Sequence, residues 1–423
     1  MASALRRPRS VLTLATCVLL AAPAQAETLT VWGGWPDLAP FYQRVGEQLK
    51  AKHPDLVVNV ELVPLREHEK RLALSLPSGS GGDVIEMETE ASRYLEAGLV
   101  PEPPKAVTDF VRVNYDGTRL KTATFDGKIY GVPLFQGHGA LFYNTDMFAK
   151  AGLTAPPATM GQYTEYAKKL VQRDAAGNPV VSGWSLRLSG GGSGIAEKWW
   201  TILYNMDGRL LDEKDGKWRA AYASPEGRAA VKLYLDNVQS DRTVLPEMKA
   251  DAEAFELGQT AMFIRESWVI GDIAKKAPGL HYATAALPKG TLMVPVDLYV
   301  PSKGAKAALA YEYVMQANTP ENLVWLTEQT GWVPNRTGID YATAIATAPG
   351  IAAFVTPANP QVFFTPPPIA PASEILTRLA ARLEKAYVDK SLPGNDAAID
   401  AMLKTAADET DRILAREDLL MKP

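Results

Sequence analysis

Three observations predict an α/β protein built as two lobes. The chain has 423 residues, more than one ordinary core accommodates. Its first third alternates short apolar strands with amphipathic helices, and its middle third is mainly helical before strands return. Strands and helices that alternate in this way build a mostly parallel sheet covered on both faces. In such a sheet, ligands bind beyond the carboxyl ends of the strands.

The chain opens as an export signal: Arg6, Arg7 and Arg9, the apolar run VLTLATCVLLAA, then APAQA with small residues at the cleavage spacing. Cleavage is expected after Ala26. Cys17, the sole cysteine, lies inside this segment behind Thr16, which is bulkier than a lipid-anchor site wants. The mature chain therefore holds together without disulfides. Losing three arginines and no acid takes its formal charge from −4 to −7, a balance that argues against nucleic acid as a partner. No later run is long and apolar enough to span a membrane.

LTVW reads as the first strand, LAPFYQRVGEQLKAKHP as a helix with Phe41, Val45 and Leu49 on one face, and VVNVELVPL as the second strand. HEKRLALSLPSG is a helix stopped by a Pro/Gly/Ser cluster, and DVIEME is the third strand. From roughly 145 to 285 helices dominate, among them SPEGRAAVKLYLDNV with its capping serine and first-turn proline. HYATAALP and VPVDLYVPS return as strands, two helices follow, and GWVPNR is a short extended segment. PANPQVFFTPPPIAP carries three large apolar residues, so it is expected to be an ordered crossing loop rather than a linker.

At YGVPLFQGHGALFYNTDMFAKAGL the chain resembles the extracellular solute-binding proteins of ABC importers, specifically the maltose-binding-protein-like sugar binders. Ala140, Leu141, Phe142, Tyr143, Asn144, Phe148 or Met147, and Lys150 match that family's signature; Phe135 stands where a small or polar residue is expected. SGGDVIEME (with Gly82 in place of proline), FELGQTAMFIRESW, DLYVPSKGAKAALAYEYV with TPENLVWL, and GWVPNR match further segments in the family's order. The resemblance covers essentially the whole mature chain. It implies a two-lobed type II binding-protein fold with a hinge, each lobe a mostly parallel sheet flanked by helices. Lobe one would take 27–135 and 291–333, lobe two 136–290 and 334–423. Hinge closure around a ligand would be the working motion.

A sugar presents C–H faces to aromatic rings and a rim of hydroxyls to planar polar groups. Trp268 matches the family's stacking tryptophan, although tryptophan also anchors cores. Gly34 and Trp35 follow the first strand at the ligand edge, whereas Trp32 ends the strand and reads as core. Trp199 and Trp200 diverge on a helix start, and Trp199 is expected in the cleft. Trp332, at the third crossing, faces either the cleft or the hinge core. Glu88, Thr89 and Glu90 end the third strand, where the family bonds hydroxyls with an acid; a solvated acidic turn is the bland alternative. Gln136 and His138 flank Gly137 on the first crossing. Arg66 and His68 start the second helix, as either cleft edge or charged helix start. Gly191 belongs to SGGGSG, a loop whose amides are expected to reach the ligand. Arg265, beside Glu266, is either a contact for an acidic sugar or half of a self-satisfied pair. Asp297 completes the set.

These residues point to a periplasmic, monomeric component of an ABC transporter. It would capture a mono- to oligosaccharide, a polyol or an acidic sugar and deliver it to membrane permease subunits, with no cofactor, no metal and no bond chemistry. The rivals are the same fold carrying a glycerophosphodiester, polyamine or cation, and a secreted glycoside hydrolase. Against the hydrolase, the acids at 86–90 lie too close along one strand to flank a bond, and no Gly-x-Ser-x-Gly or His-Glu-x-x-His segment occurs.

Overall fold

The computed structural model describes residues 27–245, 251–358 and 361–422, so the expected signal segment with Cys17 and Ala26 lies outside the described residues. Among the described residues, ten of sixteen strands build the two main sheets: β1 (Thr28–Gly33), β2 (Val57–Leu62), β3 (Val84–Met87), β4 (Val132–His138), β5 (Ala140–Asn144), β6 (Met262–Arg265), β7 (Tyr282–Ala285), β8 (Gly290–Tyr299), β9 (Val333–Pro334) and β10 (Val362–Phe364).

The larger sheet runs β9-β4-β8-β3-β1-β2, with β10 beside the start of β8. It is parallel across β2, β1 and β3 and antiparallel from β3 through β8, β4 and β9. β1 is held by Leu29 and Val31, both fully buried, as its alternation requires. Its core includes Phe41, Tyr42 and Val45 of helix α1 (Ala39–Leu49).

The smaller sheet, β6-β5-β7, is antiparallel throughout, which corrects the expectation of a mostly parallel sheet in each lobe. The reason is chain direction. β5 enters this half directly from the crossing after His138, whereas β6 ends in the cleft at Arg265 and β7 leads into the next crossing. Both partners must run back against it. A separate core of Trp184, Trp199, Tyr234 and the two last helices supports this half.

Two long elements tie the halves together. β8 pairs with β10 at Gly290–Leu292 and with β3 at Asp297–Tyr299. β4 continues into β5 through Gly139, and Phe135 is fully buried 4.6 Å from the Trp332 ring. The bulky residue at 135 therefore fills the hinge core. The Pro-rich stretch is ordered where described, and it contributes the unanticipated strand β10. Among the described residues no helix is long and apolar enough to cross a membrane.

Candidate functional site

The first wall of the site starts from two bare residues. Gly33 ends β1 directly over the buried Glu86 carboxylate, where a Cβ would collide with it. The Gly34 amide donates to Glu86 Oε2 at 2.7 Å, and the Tyr42 hydroxyl donates to Oε1. Burial pushes the Glu86 carboxyl up to about 8 despite these two donors. His68 Nε2 meets the Glu86 carbonyl at 2.8 Å from helix α2 (Leu65–Ser75). This buried network carries the turn that delivers Trp35.

Three tryptophans form the floor. Trp35 meets Trp332 edge-on at 4.9 Å, and Trp268 lies 6.5 Å from Trp332. Trp332 is 2% exposed and donates its indole N–H to Asp37 at 3.1 Å. It lies beneath the other two, which stay half-exposed. Local sequence accounts for the approach. Helix α4 (Pro320–Thr330), the second of the pair after β8, stops at Gly331, whose φ of 79° is left-handed. A side chain there would strike the Ser267 carbonyl at 2.8 Å and Trp268 Cα at 3.3 Å. Only glycine lets the two tryptophan segments touch.

The cleft over this floor has a volume of about 260 Å3, and Trp35, Arg66, Glu88, Arg265, Trp268 and Trp332 of the expected residues line it together. Six further liners escaped sequence reasoning, Leu65, Arg187, Glu197, Lys198, Val294 and Val296, while Gly190 belongs to the glycine loop expected to reach the ligand. Glu197 and Lys198 lie on helix α3 (Gly194–Asn205), just before the tryptophan pair that drew attention instead. The signal was a charged pair opening a helix after a glycine loop.

Most of the charges are already matched. Arg66 pairs with Glu69, and Lys198 pairs with Glu266. Arg265 reaches Glu266 at 3.3 Å and Asp251 at 3.4 Å while its guanidinium lies 5.1 Å from the Trp268 ring centroid. Burial alone would raise Glu266, but Lys198 and Arg265 together hold it well below the usual carboxylate range. Glu88 goes the other way: burial, then Glu90, Glu197 and Glu69, push it well up against a weaker pull from Arg66. Such a carboxyl can donate as well as accept.

The remaining expected residues lie elsewhere, and strand alternation explains two groups. Gly137 faces the cleft, so Gln136 and His138 point to the other side. There Gln136 bonds Arg119 and His138, and the His138 ring packs on Phe354 and Phe363. Burial, then Arg119, lowers His138 to about 4. Val294 and Val296 face the cleft, and Asp297 is buried behind them with its pKa raised to about 8 by burial. Gly34, His68 and Glu90 are buried in supporting positions, Glu90 accepting from the Glu88 amide at 3.3 Å and pushed by burial to about 7. Thr89 lines a neighbouring cavity with the Pro366–Pro368 run. Gly191 is exposed beside the lining Gly190. Trp199 is fully buried against Tyr222, because the helix turns its 199 face to the lobe core and 197 and 198 to the cleft. Among the described residues no His, Cys, Asp or Glu group converges as a metal holder.

Known proteins resemble the chain over most of its length. The model of the bacterial extracellular solute-binding protein family matches residues 45–353. A Brucella abortus protein, named only as a binding protein, is 25% identical over 89% of this chain and 90% of its own. The diacetylchitobiose binding protein of Streptomyces coelicolor is 24% identical over 73% of each chain. A solute-binding protein of an ABC transporter from Thermotoga lettingae, solved with α-D-tagatose, superposes with a TM-score of 0.77 at 22% identity. That match covers 92% of this chain and 100% of the other.

Proposed function

The chain belongs to the bacterial extracellular solute-binding protein family, and on that premise we propose that it captures a carbohydrate for an ABC importer. The observation that carries this reading is the pair of half-exposed indoles, Trp35 and Trp268, braced by Trp332 under a rim of planar polar groups. Flat aromatic surface takes the C–H face of a pyranose, and carboxyl and guanidinium groups exchange hydrogen bonds with its hydroxyls. Relatives named or solved as binders of diacetylchitobiose and tagatose support the same class. In this reading the protein works in the periplasm as a monomer, with lobes spanning 27–135 with 291–333 and 136–290 with 334–423. Ligand affinity drives closure, the closed form is handed to the permease, and no bond is broken. Trp35, Arg66, Glu88, Arg265 and Trp268 are the proposed contacts.

Titrating intrinsic tryptophan fluorescence with a sugar panel, a polyamine and divalent ions tests this. A saturable change with a sugar supports it. Response to a cation alone, or turnover of the sugar, overturns it.

A further inference from the structure

The cleft over the tryptophan floor is small for a chain of sugars. Its volume is about 260 Å3. A cavity of roughly 150 Å3 takes one benzene, six heavy atoms, so on the same scale this cleft takes roughly ten, the size of a pentose or hexose and under half that of a disaccharide.

Nor does the space lengthen beyond its walls. Past Glu88, a pocket of about 30 Å3 runs out against Thr365 and the Pro366–Pro368 run, whose fixed rings cannot fold aside. Behind Arg187 and Lys198, another of about 20 Å3 ends on Trp184, Ser185 and Asp251. Each has room for about one water and none for a sugar ring. At helix α2, Arg66 closes on the glycine loop of the other half, where a Cβ on Gly192 would come within 2.6 Å of its Cζ.

The two halves also approach closely across the cleft. Glu88, just past β3, and Glu197, on helix α3, line it from opposite halves. Among the described residues neither carboxyl has a hydrogen-bond or ion-pair partner. Burial and then Glu90 push Glu88 up, and Glu197 adds to that push from the facing wall, so each carboxyl lies within the other's field. The hydroxyls of one pyranose radiate from both edges of its ring. A single ring over Trp35 and Trp268 therefore supplies donors to both carboxyls.

We infer that the site is dimensioned for a single sugar ring, taking a pentose or hexose, and that Arg66 is the wall that turns longer saccharides away. One ring lies on the two indoles and donates to Glu88 and Glu197 at once. A second ring stays outside and holds the halves apart. The inference rests on the carbohydrate reading for the kind of ligand, and on the walls alone for its length.

Calorimetry on the full mature protein tests this with D-xylose, D-glucose, D-galactose and D-mannose, each beside its own disaccharide and trisaccharide. The tightest ligand should be a monosaccharide, with its disaccharide roughly tenfold or more weaker. Small-angle scattering should show closure with that monosaccharide and not with its trisaccharide. Arg66→Ala, at a half-exposed position and checked for folding by a melting curve, should narrow the ratio of mono- to disaccharide affinity severalfold. Glu197→Ala should weaken the monosaccharide roughly tenfold or more. A disaccharide or trisaccharide as the tightest ligand would overturn the single-ring limit and leave the carbohydrate reading standing. An unchanged ratio in Arg66→Ala would overturn Arg66 as the wall. No saturable binding of any of these sugars would overturn the carbohydrate reading and the inference with it.

Discussion

At the scale of single residues, exposure separates working side chains from supporting ones. Trp268 offers one face to the cleft while Arg265 covers part of its ring and Trp332 lies beyond it. Trp332, almost fully buried and bonded to Asp37, can only brace. Trp268→Ala should therefore weaken sugar binding by more than about 1 kcal/mol, while Trp268→Phe keeps part of the stacking. Calorimetry measures the loss, and a melting curve separates it from unfolding. Unchanged affinity in Trp268→Ala would make the residue a core anchor. Arg265 is ion-paired with Glu266 and Asp251, yet its buried Nε has no hydrogen-bond partner, so it stays among the proposed contacts. Among the described arginines that line the cleft, Arg187 makes no ion pair, and composition and motif both passed it over.

At the scale of elements, the turn after β1 depends on a carboxyl behind it. Glu86 receives the Gly34 amide and the Tyr42 hydroxyl in a buried site. Burial lifts its pKa from 4.5 to about 8, so the folded chain keeps a proton that the unfolded chain releases near 4.5. This contribution to stability is complete below pH 4.5 and is lost as pH rises through about 8. Asp297, also raised to about 8 by burial, acts in the same direction. Urea midpoints should accordingly fall between pH 5 and pH 8. Glu86→Gln, which keeps an acceptor for Gly34 but cannot titrate, should flatten part of that slope. A slope identical to wild type would mean that Glu86 is ionised in the folded protein across this range.

At the scale of the molecule, the two halves meet where glycine leaves room. Arg66, on helix α2 of the half with the larger sheet, lies against Gly192 of the half with the smaller sheet, where a Cβ would come within 2.6 Å of its Cζ. Gly192 has φ of 60° and Gly191 has φ of 65°, so alanine at either position strains the backbone similarly, but nothing lies within 4 Å of a Cβ on Gly191. Gly192→Ala should weaken ligand binding severalfold and leave the liganded protein more open by small-angle scattering. Gly191→Ala should lower melting temperature comparably with far less effect on affinity. Equal affinity losses in the two variants would show that backbone strain, and not the Arg66 contact, limits closure.

The linear chain was sufficient for whatever depends on local order. Strand and helix periodicity, the Gly331 stop, the family segments and the turn bearing Trp35 all follow from neighbours a few residues apart. Alternation also fixes that Gly137 cannot share a face with Gln136 and His138, but not which face meets the cleft. That choice came from packing: His138 is buried against Phe354 and Phe363, which are more than 200 residues away. The same holds for Trp199 against Glu197 and Lys198, since the rotation of helix α3 is decided by the lobe core it covers. Whether a charge is free or neutralised is likewise a matter of distance in space, as Arg187 and Arg265 demonstrate. Periodicity assigns residues to faces; only the folded contacts decide which face meets ligand, core or counter-charge.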